Sequence, residues 1–80
     1  MEESRTLLVV DDDLAMREML ASLFVERGFA VDQAASADEA LQVLRNNPVD
    51  LVLTDLRMEG ASGLDLFTQI RHFYPGLPVI

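Results

Sequence analysis

An α/β fold built on an open parallel sheet is what this 80-residue sequence predicts, and three observations predict it. Short unbroken runs of Leu and Val alternate with segments of helical apolar spacing, in the order strand, helix, strand, helix, strand, helix. Two of the runs stop abruptly at aspartates, and Gly or Pro punctuates the helix ends. Such alternation argues for right-handed βαβ units in one sheet, whose strands are buried on both faces and so lack the in-out alternation of an exposed sheet.

Thr6-Leu7-Leu8-Val9-Val10 is the first buried strand, ending at three aspartates. In the helix that follows, Met16, Met19, Leu20 and Leu23, with Phe24 beside them, form the apolar stripe; Asp13 is placed to cap its start and Gly28 to stop it. Phe29 to Ala34 reads as a second, weaker strand. Ser36-Ala37-Asp38-Glu39 has the Ser-x-x-Glu form of a capping box. It opens a helix striped by Ala37, Ala40, Leu41 and Leu44, which Asn46-Asn47-Pro48 ends. Leu51 to Thr54 is a third buried strand and runs into Asp55. After a loop with Gly60, Ser62 and Gly63, a third helix carries Leu66, Phe67, Ile70 and Phe73 on one side, with Ser62 as its expected cap. Pro75-Gly76 breaks that helix, and Pro78-Val79-Ile80 opens a fourth strand. No repeat, linker or low-complexity segment interrupts the pattern, which fits one domain at most.

Composition narrows the function. Half of the residues are hydrophobic and 25% are charged, a globular balance that excludes disorder. The net charge is -8, and all six bases are arginine. That charge disfavours contact of this segment with nucleic acid or an anionic membrane and is compatible with cation binding. The absence of cysteine excludes disulfides and thiolate metal sites and fits the cytoplasm. The first five residues lack a signal-peptide pattern, and no apolar run approaches the ~20 residues of a membrane span.

In open α/β sheets, ligands sit beyond the carboxyl ends of the strands. The first strand ends at Asp11 and Asp12, the third at Asp55; if these strands are neighbours, the three carboxylates converge. Carboxylates held together repel, and a divalent cation removes the conflict; an all-oxygen site suits Mg²⁺. An aspartate can also be a nucleophile that forms an acyl phosphate, with Mg²⁺ offsetting the phosphoryl charge. One acid would then take the phosphoryl group while the others hold the metal. Blander readings stand beside this one. A lone Asp-Asp pair is ordinary turn chemistry, His72 reads as a solvated surface residue, and the Met and Phe stripes read as core. Two separate strand ends aiming acids at one crevice favour the sharper reading.

Leu7-Leu8-Val9-Val10-Asp11-Asp12-Asp13 resembles the first strand and acidic cluster of bacterial response-regulator receiver domains. Val49 to Met58 resembles their third strand with its phosphorylated aspartate, Gly63-Leu64-Asp65-Leu66 the start of their third helix, and Pro75 to Ile80 the entry to strand four. The resemblance spans essentially the whole chain. It implies a flavodoxin-like sheet of order 2-1-3-4-5 in the full domain, with the first three βα units and the start of strand four present here. It implies that Asp55 accepts a phosphoryl group from a sensor histidine kinase. Mg²⁺ would be held directly by Asp12, mainly through water by Asp11, and also by Asp55 and the backbone carbonyl of Arg57. The segment would then be a cytoplasmic signalling phosphoacceptor, not an enzyme, that controls an output domain on the same full-length chain. The Asp-Leu-Arg-Met run and Gly-Leu-Asp-Leu-Phe are similar to receivers of the NtrC type. Those are usually joined to an ATPase and a DNA-binding module that regulate transcription.

Two departures shape the expectations. Glu59 stands where the family often has proline. The family's switch Ser or Thr, at the end of strand four, and its Lys, at the end of strand five, do not occur within these residues, which contain no lysine. An incomplete domain is therefore expected, with only the first helix on one sheet face and apolar surface on strands such as Leu51 to Thr54, so that the segment self-associates, swaps elements or is part of a larger chain. Two alternatives remain. Asp11-x-Asp13 resembles the motif of haloacid-dehalogenase-type phosphatases with Asp11 as nucleophile, although Ala15 replaces the expected Thr or Val and Asp55 goes unexplained. The other is an inert receiver fragment that acts only as an interaction module.

Overall fold

A computed structural model describes residues 5–55 and 63–80. Three strands, β1 (Thr6–Val10), β2 (Ala30–Ala34) and β3 (Leu51–Thr54), alternate with three helices, α1 (Leu14–Glu26), α2 (Ala37–Asn46) and α3 (Gly63–Phe73). The sheet is parallel throughout, in the order β2-β1-β3. Beyond β3, Val79 bridges Val52 in parallel: the Val52 N–H donates to the Pro78 carbonyl and the Ile80 N–H to the Val52 carbonyl. Residues 78–80 thus take the place expected of strand four, beside β3. The expected Gly60 turn and Ser62 cap lie outside the described residues.

The register sorts the strand residues between two faces. Leu8 lies beside Val52 and Val10 beside Thr54, while Leu7 and Val9 point the other way, as alternation along a strand requires. On the first face Leu8, Val10, Ala34 and Val52 pack with Ala37, Ala40 and Leu44 of α2 and Leu66 and Ile70 of α3. Alanines on the inner side of α2 let that helix approach the sheet closely, and Ala40 is fully buried. On the opposite face Leu7 and Val9 are buried beneath α1, whose one buried residue is Ala21.

The helix ends follow their sequence signals. Asp13 caps α1 by accepting the Met16 N–H at 3.2 Å. Ser36 caps α2 by accepting the Glu39 N–H at 3.1 Å. The return bond of the capping box is shifted by one residue: Glu39 accepts from Ala35, not from Ser36. At the end of α1, the Phe29 N–H reaches the Phe24 carbonyl and the Gly28 N–H reaches that of Val25, which is a Schellman closure. Its apolar clasp is the edge-to-face contact of Phe24 and Phe29, 5.6 Å between centroids. Gly28 sits at φ 94°, and a Cβ there would meet nothing within 4 Å. The Gly28→Ala penalty is therefore conformational, about 1–2 kcal/mol, and a matching loss in urea-unfolding stability checks it.

Two expected stripes are corrected. Met16, Met19 and Leu23 of α1 are exposed, whereas Leu20 and Phe24 of the expected stripe are half-buried and share the side turned to the sheet with Arg17 and Ala21. Apolar residues lie around most of α1, so their spacing does not single out the buried side. In α3, Leu66 and Ile70 are buried but Phe73 is exposed; Tyr74, one residue on, packs against the core in its place. The second strand begins at Ala30, because Phe29 is held in the α1 closure.

Candidate functional site

The pocket is built from the ends of β1 and β3. Val10 and Thr54 are register partners, so the next residues, Asp11 and Asp55, leave adjacent strands at the same level. Ladder bonds continue one step past the strands: the Asp11 N–H donates to the Ala34 carbonyl and the Asp55 N–H to the Val10 carbonyl, at 3.1 and 3.0 Å. The backbone beneath the two aspartates is therefore as firmly held as the strands. Asp12 follows in the β1–α1 loop. Asp11, Asp12 and Asp55 each bring a carboxylate oxygen within 4.8 Å of the others. Asp11 is buried, Asp55 half-buried and Asp12 exposed, so the cluster opens to solvent on one side.

The two flanking acids are differently engaged. One oxygen of Asp11 accepts the Asp13 N–H at 2.9 Å, which fixes its rotamer inside the loop. Thr54 turns its hydroxyl onto the Asp55 carbonyl at 3.2 Å. Three oxygens from hard ligands this close form a donor set that matches Mg²⁺, a cation bound by one or two carboxylates and several waters. The expected fourth ligand, the carbonyl of Arg57, lies outside the described residues. His72 is exposed and stacks edge-on against Phe73, away from the acids, in keeping with its reading as a surface residue.

Sequence reading overlooked two residues at this site. Arg17 Nη1 donates to the Asp11 backbone carbonyl at 2.8 Å, and Arg17 Nε donates to Gln33 Oε1 at 3.2 Å. The signal was present: Arg17, Ala21 and Phe24 are spaced to share one helix face, and an arginine on a face turned to the sheet needs acceptors there.

Strand order, βα alternation and acids beyond the carboxyl edge define a doubly wound α/β domain with an acidic site at the carboxyl ends of its strands. Residues 7–80 match the response regulator receiver domain family, and the chain belongs to that family. It is 43% identical over 74 residues to the transcriptional regulatory protein GlrR of Escherichia coli (strain K12), covering 92% of this chain and 17% of that protein. It thus spans about a sixth of that relative. A response regulator receiver protein from Pseudomonas putida superposes with a TM-score of 0.92 at 36% identity, covering 99% of this chain and 67% of that one. The response regulator protein TrrA of Thermotoga maritima, in complex with Mg(2+)-BeF, gives 0.90 at 35% identity, covering 94% and 65%. Membership of this family displaces the phosphatase alternative built on Asp11.

Proposed function

We propose that this chain is the phosphoacceptor segment of a two-component response regulator, with Asp55 as acceptor. The observation that carries this reading is the convergence of three carboxylates at the ends of two adjacent strands. An Asp55 oxygen attacks the donor phosphorus, forming a P–O bond as the P–N bond of the donor phosphohistidine breaks; the imidazole leaves and regains a proton. Asp12, Asp55 and the Arg57 carbonyl, with Asp11 through water, would hold a Mg²⁺ ion, which would supply positive charge opposite the transferring group. Asp55 suits the nucleophile's role better than Asp11 because it is half-buried and reachable from solvent, whereas Asp11 is buried. The partners are a sensor histidine kinase and an output domain; the name of the relative GlrR, a transcriptional regulatory protein, is in keeping with a regulatory output. The NtrC-type output, an ATPase joined to a DNA-binding module that regulates transcription, and the cytoplasmic setting belong to the same proposal.

The test is intact-mass analysis after incubation with Mg²⁺ and a small acyl-phosphate donor. Wild type gains one phosphoryl group and Asp55→Asn gains none. A wild-type chain that binds Mg²⁺ but takes up no phosphoryl group would mark the segment as an interaction module alone.

Residues 1–80 are further proposed to be the N-terminal part of the receiver domain. Solved receivers such as the Pseudomonas putida protein are about half as long again. On the α1 side of the sheet, Leu51 and Leu53 are only half-buried and Ile80 is 71% exposed. Apolar area of this kind favours association. The 80-residue chain should show a sedimentation coefficient that rises with concentration; a constant monomer value would refute that expectation.

A further inference from the structure

We propose that Arg17 is a positioning residue for the acidic pocket, acting through the Asp11 backbone; the inference rests on the Mg²⁺-binding reading of that pocket. Arg17 is half-buried in the first turn of α1, four residues after the Asp13 cap. Its own N–H closes the first helical bond, to the Asp13 carbonyl at 2.9 Å. A cation so near an acid cluster would ordinarily pair with a carboxylate. Arg17 instead directs its hydrogen bonds among the described residues at neutral oxygens, the Asp11 carbonyl and the Gln33 side chain.

That choice of acceptors has two consequences. The carboxylate oxygens that would bind metal are not consumed by the guanidinium. The β1–α1 loop is also anchored from two directions, because Gln33 lies on β2, beside Val9 of β1 in the register. The rigid fork of the guanidinium spans both acceptors at once, which a lysine ammonium cannot reproduce. Together with the Asp11 bond to the Asp13 N–H, the clamp fixes the loop from which Asp11 and Asp12 project. Groups that orient metal ligands without touching the metal typically change affinity about 10–100-fold when removed.

Positioning and charge make opposite predictions. Removing a positive charge beside a cation site would tighten Mg²⁺ binding; removing a clamp weakens it. Calorimetric titration of the 80-residue chain with Mg²⁺ should show affinity falling about tenfold in Arg17→Met. Gln33→Ala, on an exposed edge-strand position, should fall less and in the same direction. Arg17→Lys, which can keep the bond to the Asp11 carbonyl, should recover part of the loss. Urea unfolding with chelator establishes that each variant is folded before its affinity is read. Unchanged or tighter binding in Arg17→Met, or Lys behaving like Met, would overturn the proposal. Absence of Mg²⁺ binding in the wild type, or binding unaffected by Asp12→Asn, would instead overturn the metal-site reading beneath it.

Discussion

Leu8→Ala should lower stability by about 3–5 kcal/mol, the upper range for emptying a buried leucine site. Leu8 is fully buried on the middle strand, on the face where α2 and α3 meet the sheet, so no single neighbour can collapse into the space. A chain of this length is expected to have only about 4–12 kcal/mol in total. The loss therefore takes a quarter or more of the stability, and urea unfolding followed by circular dichroism should show the midpoint collapse. Met19→Ala is the contrast. Met19 is 57% exposed, and its shift should stay within about 0.5 kcal/mol. A Met19 effect as large as that of Leu8 would mean that the apolar stripe of α1 is buried after all.

Asp12→Asn should change sign with metal. Without Mg²⁺, the substitution removes one of three like charges whose oxygens lie within 4.8 Å, while Asp12 itself is exposed. In a water-like dielectric each such repulsion is at most about 1 kcal/mol and Asp12 takes part in two, so the variant should be more stable than wild type in chelator by about 1–2 kcal/mol. With Mg²⁺ in excess the order reverses, because a ligand that binds only the folded state stabilises in proportion to the logarithm of its saturation. Wild type should gain stability with Mg²⁺ concentration, and the variant little or none. Thermal unfolding of both proteins across a Mg²⁺ series checks this. A variant that gains as much as wild type would remove Asp12 from the metal site.

Most of the architecture was legible because its signals are local. Unbroken Leu-Val runs mark strands buried on both sides, and Ser36, Asp13 and Gly28 act through bonds within a few residues. The convergence of Asp11, Asp12 and Asp55 was legible only conditionally. It required β1 and β3 to be neighbours, a nonlocal fact that the order β2-β1-β3 supplies. The buried side of α1 was legible only in part, through Leu20 and Phe24, because Met16, Met19 and Leu23 are exposed and spacing alone cannot separate a core stripe from an apolar surface. Arg17 was overlooked for a related reason. Its acceptors are a backbone carbonyl and an amide sixteen residues away, and neither leaves a motif in the sequence.

The most direct measurement locates the phosphoryl group itself. After incubation of the chain with Mg²⁺ and an acyl-phosphate donor, borohydride reduction converts an aspartyl phosphate to homoserine, and peptide mass spectrometry reads its position. Homoserine at position 55 alone, dependent on Mg²⁺, is the predicted result. Homoserine at position 11 or 12, or none anywhere while Mg²⁺ remains bound, would contradict the assignment of Asp55 as the acceptor.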